Sequence, residues 1–198
     1  MIVGVTKETL PGEHRVALVP KALAALTKAG MQVVVERGAG LPAGFPDSAY
    51  EQGGAKLASR GEVFEQATII AQVRTAGANP HHSQPDLAFA RPAQLYIGFA
   101  DPLTRCNALT ALAERGVHIF ALELLPRITR AQTMDVLSSQ ATVAGYKAVV
   151  LAADALPKMF PMLTTAAGTL TPAKVLVIGA GVAGLQAISS ARRLGAVV

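Results

Sequence analysis

Four side chains of different chemistry lie close together in the sequence, between residues 127 and 138. Arg127, Gln132, Asp135 and Ser138 provide a cation, an amide, a carboxylate and a hydroxyl. The amide and the hydroxyl can each donate and accept a hydrogen bond, which matches a carboxamide, and Asp135 can face a pyridinium or hold Arg127 in place. These residue types predict a site that grips a flat, polar, partly charged ring.

The same segment has a simpler interpretation, as a polar turn that enters a long helix. Asp135, Ser138 or Ser139 would then cap the helix, and Arg127 would lie on the surface. The turn follows a predicted strand, and ligands of α/β proteins bind in a crevice beyond the carboxyl ends of strands. The local pattern is compatible with a site and with a cap.

The second motif is a set of three glycines, Gly179-x-Gly181-x-x-Gly184. It follows a predicted strand and opens a predicted helix, which is the context that a dinucleotide-binding turn requires. Gly179 would allow the tight turn, Gly181 the approach of a pyrophosphate to the backbone, and Gly184 the close packing of helix on strand. Since free N–H groups at the helix start would meet the phosphates, we assign Gly179, Gly181, Val182 and Gly184 to cofactor binding. The acidic residue that separates NAD from NADP, expected about 20 positions on, would lie beyond Val198.

Apolar strands and helices alternate around these two motifs. Pro20 and Pro102 suit the first turn of a helix, and Gly30 and Gly116 suit a helix end. The predicted strands cover residues 2–5, 32–36, 68–73, 94–99 and 118–122, and the predicted helices cover residues 20–29, 102–116 and 138–156. Because each crossover is too long for a hairpin, the pattern predicts a parallel, doubly wound α/β sheet.

The two motifs also divide the chain. Residues 1–137, with a linking helix at 138–156, are predicted to form an N-terminal α/β lobe. Residues 164–198 are predicted to begin a second, Rossmann-type lobe, in which a connector at 164–173 precedes an apolar strand, the glycine turn and one helix. The predicted fold class is therefore α/β, with two doubly wound parallel-sheet lobes of which the second is truncated after its first strand and helix.

Composition argues against several classes of protein. The net charge is +5, but there is no basic tract with interleaved aromatic residues, which argues against nucleic-acid binding. Cys106 is the single cysteine and the four histidines do not share metal-ligand spacing, so no metal site is predicted. The longest run without a charged residue, 175–191, is too short and too polar to span a membrane. The sequence therefore predicts a soluble, cytoplasmic chain.

Four segments, which together extend over most of the chain, resemble one family. They look like the NAD(H)-binding domain I of proton-translocating NAD(P) transhydrogenase, and alanine dehydrogenase shares the first, second and last of them in looser form. The segments are KETLPGEHRVALVP at 7–20, ERGAGLPAGFPDSAY at 36–50, PRITRAQTMDVLSSQATVAGYKAV at 126–149 and TLTPAKVLVIGAGVAGLQA at 169–187. The third is the most specific, because its R-x4-Q-x2-D-x2-S pattern resembles the transhydrogenase loop that holds the nicotinamide of NAD(H).

The resemblance implies an oxidoreductase in which hydride moves between NAD(H), held here, and NADP(H), held by a partner subunit. Proton translocation would be coupled to this step through membrane-spanning partner subunits. Arg127, Gln132 and Asp135 would act in the reaction by positioning the nicotinamide, together with Ser138. The resemblance further implies a homodimer that lies peripherally on the inner face of the cell membrane, with two lobes flanking the NAD cleft.

Two alternatives remain open. An alanine dehydrogenase would use a lysine after the third strand for the substrate carboxylate and a histidine near the end of the fourth, where this chain has AQVRTAG and YIGFADP. Arg74 could replace the lysine, but the histidine is missing, and for Arg15 a structural ion pair or hydrogen bonds to the adjoining loop are favoured over substrate binding. The other alternative is a non-catalytic dimerisation fragment, with weak NADH binding or self-association through an exposed sheet edge.

Overall fold

The computed structural model describes residues 1–79, 81, 83–104 and 106–198. The chain divides into two compact units, Met1–Pro126 and Arg127–Val198. This division lies earlier in the chain than the boundary that the sequence suggested after residue 137. The polar loop, the long helix and the glycine turn therefore all belong to the second unit.

Six parallel strands form the sheet of the first unit, in the order β3-β2-β1-β4-β5-β6. They are β1 (Ile2–Val5), β2 (Gln32–Glu36), β3 (Lys56–Ala58), β4 (Ile69–Arg74), β5 (Leu95–Phe99) and β6 (His118–Ala121). The predicted α/β class with a doubly wound parallel sheet is confirmed, with β3 as an additional edge strand. The order reverses direction between β1 and β4, and a crevice at such a switch point is the usual ligand position of an open α/β sheet.

Four helices connect these strands: α1 (Pro20–Lys28), α2 (Asp47–Gln52), α3 (Arg60–Gln66) and α4 (Cys106–Ala113). Helix α3, which the sequence prediction missed, begins with a capping box in which the Glu62 carboxylate accepts the Ser59 N–H at 2.7 Å. Helix α4 starts later than the predicted Pro102. Asp101 has a φ of 50°, and its carbonyl accepts the Thr104 N–H in a turn that precedes the helix.

The core of the first unit is built on both faces of the sheet. Val5, Val35 and Tyr50 are fully buried on one side, and Phe64 and Ile70 are fully buried in a second cluster. The Tyr50 hydroxyl donates to the Leu18 carbonyl at 3.0 Å, so the buried ring has its polar end satisfied. Apart from Tyr96, the other buried hydrophobic residues described in this unit are aliphatic or alanine, which is typical of a parallel sheet.

The second unit consists of two helices and a hairpin. They are α5 (Val136–Ala155), β7 (Leu163–Thr165), β8 (Gly168–Leu170) and α6 (Val182–Arg193). Val149 of α5 belongs to the same apolar cluster as Ala187 and Ala191 of α6. This packing explains why the long helix groups with the second unit rather than with the first.

Two details of this unit differ from the sequence prediction. The predicted connector at 164–173 contains the hairpin β7–β8, which pairs antiparallel. The apolar run at 174–178 does not form a strand; it makes a single parallel bridge between Lys174 and Val197. Leu176 and Ile178 are 86% and 92% exposed, and among the described residues no strand pairs with them.

Helix α5 is the one helix of the described chain that is long and apolar enough to cross a membrane by length and composition, with 20 residues and a mean hydropathy of 1.2. The sequence prediction contained no such span. One helix of this length and composition is weak evidence of a membrane span, and α5 carries the charged residues Lys147 and Asp154 within its length.

Candidate functional site

The polar loop is built as a turn that stops at a helix cap. Residues Thr129–Met134 form a 3-10 turn, and Asp135 follows as the N-cap of α5. The Ser138 N–H donates to Asp135 Oδ1 at 2.9 Å, and the Ser138 hydroxyl donates to Asp135 Oδ2 at 2.7 Å. Of the three caps that the sequence allowed, Asp135 is the one that forms, and it holds Ser138 in a fixed orientation.

The charge on Asp135 is stabilised by the same contacts. The backbone N–H of Ser138, then the Ser138 hydroxyl, and more weakly the positive charge of Arg127 lower the pKa of Asp135 below its ordinary value. Asp135 is therefore a fixed anion at neutral pH. Asp135 is held in the loop by its hydrogen bonds to Ser138, which lines the cavity. One residue can therefore cap the helix and also orient a side chain of the candidate site.

The glycine turn has the conformation that its spacing predicted. Gly179 has a φ of 104°, in the left-handed region that favours glycine. A Cβ on Gly184 would lie 2.0 Å from the carbonyl oxygen of Gly179, so only glycine allows the helix to pack so closely on the turn. Gly181 is the N-cap of α6 and has open space where a Cβ would be.

The start of α6 has the features of an anion-binding site. The first N–H groups of an α-helix, here those of Val182, Ala183 and Gly184, have no acceptor within the helix. Together with the helix dipole they favour a negatively charged group, and the open face of Gly181 leaves room for it to reach the backbone. These features fit the pyrophosphate of a dinucleotide.

A shallow cavity of about 410 Å³ joins the polar loop to the glycine turn within the second unit. It is lined by Arg127, Leu137, Ser138, Ala141, Ile178, Gly179, Gly181, Val182, Ala183 and Gly184. Six of the eight predicted site residues therefore border one space: Arg127, Ser138, Gly179, Gly181, Val182 and Gly184. Asp135 contacts this space only through Ser138, and the side chain of Gln132 is exposed outside it.

Four lining residues were not singled out in the sequence, namely Leu137, Ala141, Ile178 and Ala183. Ala141 lies one helical turn after Ser138, so helical spacing was the available signal. A larger cavity of about 840 Å³ lies near the end of α5, where Leu156, Phe160 and Leu170 are among its lining residues. It contains none of the predicted site residues, and its mostly apolar wall offers few groups for a polar ring.

No group of three or more potential metal ligands occurs within the part of the chain that the structure describes. His82, one of the four histidines, lies outside the described residues.

A second polar cluster lies in the first unit, after the carboxyl ends of β1 and β4. Glu13, whose side chain is only 6% exposed, pairs through Oε2 with Arg15 at 2.6 Å and with Arg74 at 2.9 Å. The Arg15 hydrogen bonds, reinforced by Arg74, lower the pKa of Glu13 to about 2. Of the two structural roles expected for Arg15, the ion pair forms, and Arg74, which an alanine dehydrogenase would have needed in place of its lysine, pairs with the same carboxylate.

Comparison with known families assigns both units to one of them. The profile described as "Alanine dehydrogenase/PNT, N-terminal domain" matches residues 4–144, and the one described as "Alanine dehydrogenase/PNT, C-terminal domain" matches residues 148–198. The chain therefore belongs to the alanine dehydrogenase/PNT family, and the resemblance seen in its sequence is confirmed.

Within the family the similarity to transhydrogenases is the greater. The chain is 42% identical over 199 aligned residues to an NAD(P) transhydrogenase subunit alpha polypeptide of Rhodospirillum rubrum, covering 100% of this chain and 52% of that protein. A crystal structure of transhydrogenase from Sinorhizobium meliloti matches with a TM-score of 0.92 and 46% identity, covering 99% of this chain and 55% of that one. Alanine dehydrogenase of Bacillus subtilis is 30% identical over 99% of this chain and 50% of the enzyme. The chain thus spans about half the length of these relatives.

Proposed function

We propose that this chain belongs to the NAD(H)-binding component of an NAD(P) transhydrogenase. In the complete protein, hydride would move between NAD(H) bound here and NADP(H) on a partner subunit, coupled to proton translocation by membrane-spanning partners. The observation that carries the proposal is the cavity that Arg127 and Ser138 share with the glycine turn. A homodimer, placed peripherally on the inner face of the cell membrane, belongs to the same proposal.

The residues of the cavity fit the two ends of the cofactor. The N–H groups at the start of α6 would hold the pyrophosphate, and Gly181 leaves the backbone open to it. Ser138, oriented by Asp135, would bind the carboxamide, and Arg127 would add a positive charge beside it. The nicotinamide ring supplies the hydride when the cofactor is bound.

The chemistry expected of the cavity is positioning. Among the described residues that line it, Arg127 and Ser138 are the only ones with polar side chains, and no histidine, aspartate, glutamate, lysine, tyrosine or cysteine lines it as a candidate general acid or base. Direct hydride transfer between two nicotinamides needs no general acid or base, whereas oxidation of an amino acid does. The role of the chain would be to hold one ring in a reactive orientation.

Binding measurements on the full-length protein that carries this chain test the proposal. Arg127→Ala and Ser138→Ala should each weaken NADH binding, measured by NADH fluorescence, by about tenfold, which corresponds to one lost hydrogen bond to a charged or polar ligand group. Arg130→Ala is the matched control, because Arg130 is exposed on the same loop but does not line the cavity. Wild-type-like NADH affinity in both cavity variants would contradict the proposed site.

A transfer assay distinguishes the proposed reaction from its alternatives. With an NADP(H)-binding partner added, the full-length protein should reduce an NAD analogue with NADPH. It should form no NADH from alanine, because no histidine lies between His82 and His118, where an alanine dehydrogenase would have its acid–base residue, and because Arg15 and Arg74 both pair with Glu13. NADH formation from alanine would favour the dehydrogenase alternative. Failure of both reactions, together with absent NADH binding, would favour the non-catalytic fragment.

A further inference from the structure

Helix α5 lines the cavity at the polar loop and also packs against the start of α6, where the glycine turn ends. Its residues Ser138 and Ala141 line the cavity, and its N-cap Asp135 accepts the hydrogen bond of the Ser138 hydroxyl. Gly145, four residues after Ala141, lies on the same helical face and is buried. The helix rises about 1.5 Å per residue, so Gly145 lies roughly 10 Å along the axis from Ser138.

Gly145 makes contact with the backbone of the glycine turn. A Cβ at position 145 would lie 2.2 Å from the carbonyl oxygen of Ala183, 2.9 Å from its carbonyl carbon and 3.0 Å from its Cα. Ala183 is the second residue of α6, and Gly184, which follows it, packs against the carbonyl of Gly179. The atoms in contact belong to the main chain, so no side-chain rotation can make room.

A glycine inside a helix needs a reason, because it costs about 1 kcal/mol relative to alanine. Gly145 is not among the residues with positive φ, so its backbone conformation is open to any residue. What excludes a larger residue is the approach of α6. Helix α5 therefore has a residue of low helix propensity at the position that packs against the first turn of α6.

We propose that Gly145 is a positioning residue, which fixes the spacing between the polar loop and the glycine turn so that one NAD(H) molecule reaches both. The proposal rests on the proposed function, because it concerns the same site. Gly145 touches no cofactor; it acts through Ala183, whose displacement would move the start of α6 relative to Ser138. A change in the distance between the polar loop and the glycine turn should weaken the binding of a ligand that contacts both much more than that of a ligand that contacts only one.

The test compares the whole cofactor with its two halves in Gly145→Ala of the full-length protein. NADH binding should weaken at least tenfold. ADP-ribose, which carries the pyrophosphate end, and reduced nicotinamide mononucleotide, which carries the ring end, should each bind within about threefold of wild type by calorimetry or ligand-observed NMR. Ala148→Gly, at an exposed position of the same helix, is the control and should leave all three affinities unchanged.

A milder variant covers the case in which Gly145→Ala does not fold. Val149→Leu adds one methylene to the same α5–α6 packing, one turn further from the cavity, and should weaken NADH binding about threefold with both halves spared. Equal weakening of all three ligands, or unchanged NADH binding in the variants, would overturn the positioning role while the proposed function stands. Absent NADH binding in the wild-type protein would overturn both.

Discussion

At the scale of single residues, the surroundings of two neighbouring carboxylates in the first unit shift their pKa values in opposite directions. Arg15, with help from Arg74, lowers the pKa of Glu13 to about 2. Burial raises the pKa of Glu8, although the backbone N–H groups of Val73 and Arg74 donate to it at 2.6 and 3.1 Å. Glu13 therefore favours the folded state when it is charged, whereas Glu8 favours it when it is protonated.

The sign of the Glu13 effect gives the first prediction. A folded-state pKa below the ordinary value of 4.5 contributes stability above about pH 4.5, which is lost as the pH falls towards 2. Glu13→Gln should lower the free energy of unfolding by about 1–2 kcal/mol at pH 7, since both arginine partners are about a third exposed and part of the interaction is screened.

The measurement is urea denaturation at a series of pH values from 7 to 2.5. The difference between wild type and Glu13→Gln should shrink as the pH drops through the acidic range. Glu65→Gln, at an exposed position of α3, should follow the wild-type curve throughout. A constant difference at all pH values would mean that the charge of Glu13 is not what stabilises the fold.

The second prediction separates the capping role of Asp135 from its role in the site. Asp135→Ala removes the acceptor for the Ser138 N–H and should cost about 1 kcal/mol of stability, which is typical of a lost N-cap. Asp135→Asn can still accept that hydrogen bond, so it should retain most of the stability while losing the charge. Thermal unfolding of the two variants measures this contrast.

If Asp135 serves the cofactor as a fixed anion, both variants should slow hydride transfer in the full-length protein. If it is only a cap, Asp135→Asn should transfer hydride at the wild-type rate. The sequence alone could not separate these uses, because Asp at an N-cap and Asp in a polar site have the same local pattern. The structure shows that the cap forms, and the transfer rate of the Asn variant reports on the charge.

At the scale of secondary-structure elements, glycines mark where two elements come unusually close. A Cβ on Gly4 of β1 would lie 2.7 Å from Ala67 Cβ and 2.8 Å from Val63 Cγ1, so helix α3 packs directly on this strand. Gly61, within α3 itself, has only ordinary contact, with the nearest Phe89 ring atom at 3.4 Å. The two positions therefore differ in the room they leave for one methyl group.

The third prediction follows from that difference. Gly4→Ala should destabilise the fold by about 1–3 kcal/mol, because both neighbours are buried and the core must shift. Gly61→Ala should stabilise it by up to about 1 kcal/mol, because alanine has the higher helix propensity. Urea denaturation of both variants checks the two signs. If Gly61→Ala also destabilised the fold, the space beside Gly61 would be too small for a methyl group, and the second sign would be wrong.

The elements that could be predicted from the sequence are those with local signals. Strands 2–5 and 32–36 are short apolar runs bounded by polar residues, and the glycine turn at 179–184 is specified by its own spacing. Strand β3 was missed because its three residues have no periodicity to detect, whereas the Ser59-x-x-Glu62 capping box of α3 was a signal that was available. The 174–178 run was predicted as a strand from apolar content, but a strand also needs pairing partners.

In the candidate site, too, the features with local signals could be predicted from the sequence and those that depend on packing could not. The residue types between 127 and 138 and the three glycines could be chosen from sequence, because their chemistry is local. That Gln132 stays outside the cavity, and that Ala183 is the neighbour of Gly145, depends on how α5 and α6 cross. Such distances arise from packing between distant residues, for which a single sequence carries no direct signal.

At the scale of the whole molecule, the two units differ in how completely they bury their apolar residues. The first unit has several buried clusters around its sheet. The second has one small cluster, and Leu176 and Ile178 remain almost fully exposed beside the glycine turn. An exposed apolar segment with few backbone partners is a site where a second chain can add.

The fourth prediction is that the 198-residue chain associates with itself through this segment. In sedimentation velocity, species larger than a monomer should increase with concentration, and replacement of Leu176 and Ile178 by serine should reduce them. Leu103→Ser is the matched control, since Leu103 is 84% exposed but lies in the first unit. If the double variant associates as strongly as wild type, another surface holds the copies together. If the double variant still forms a species of two copies, that other surface would be the interface of the proposed homodimer.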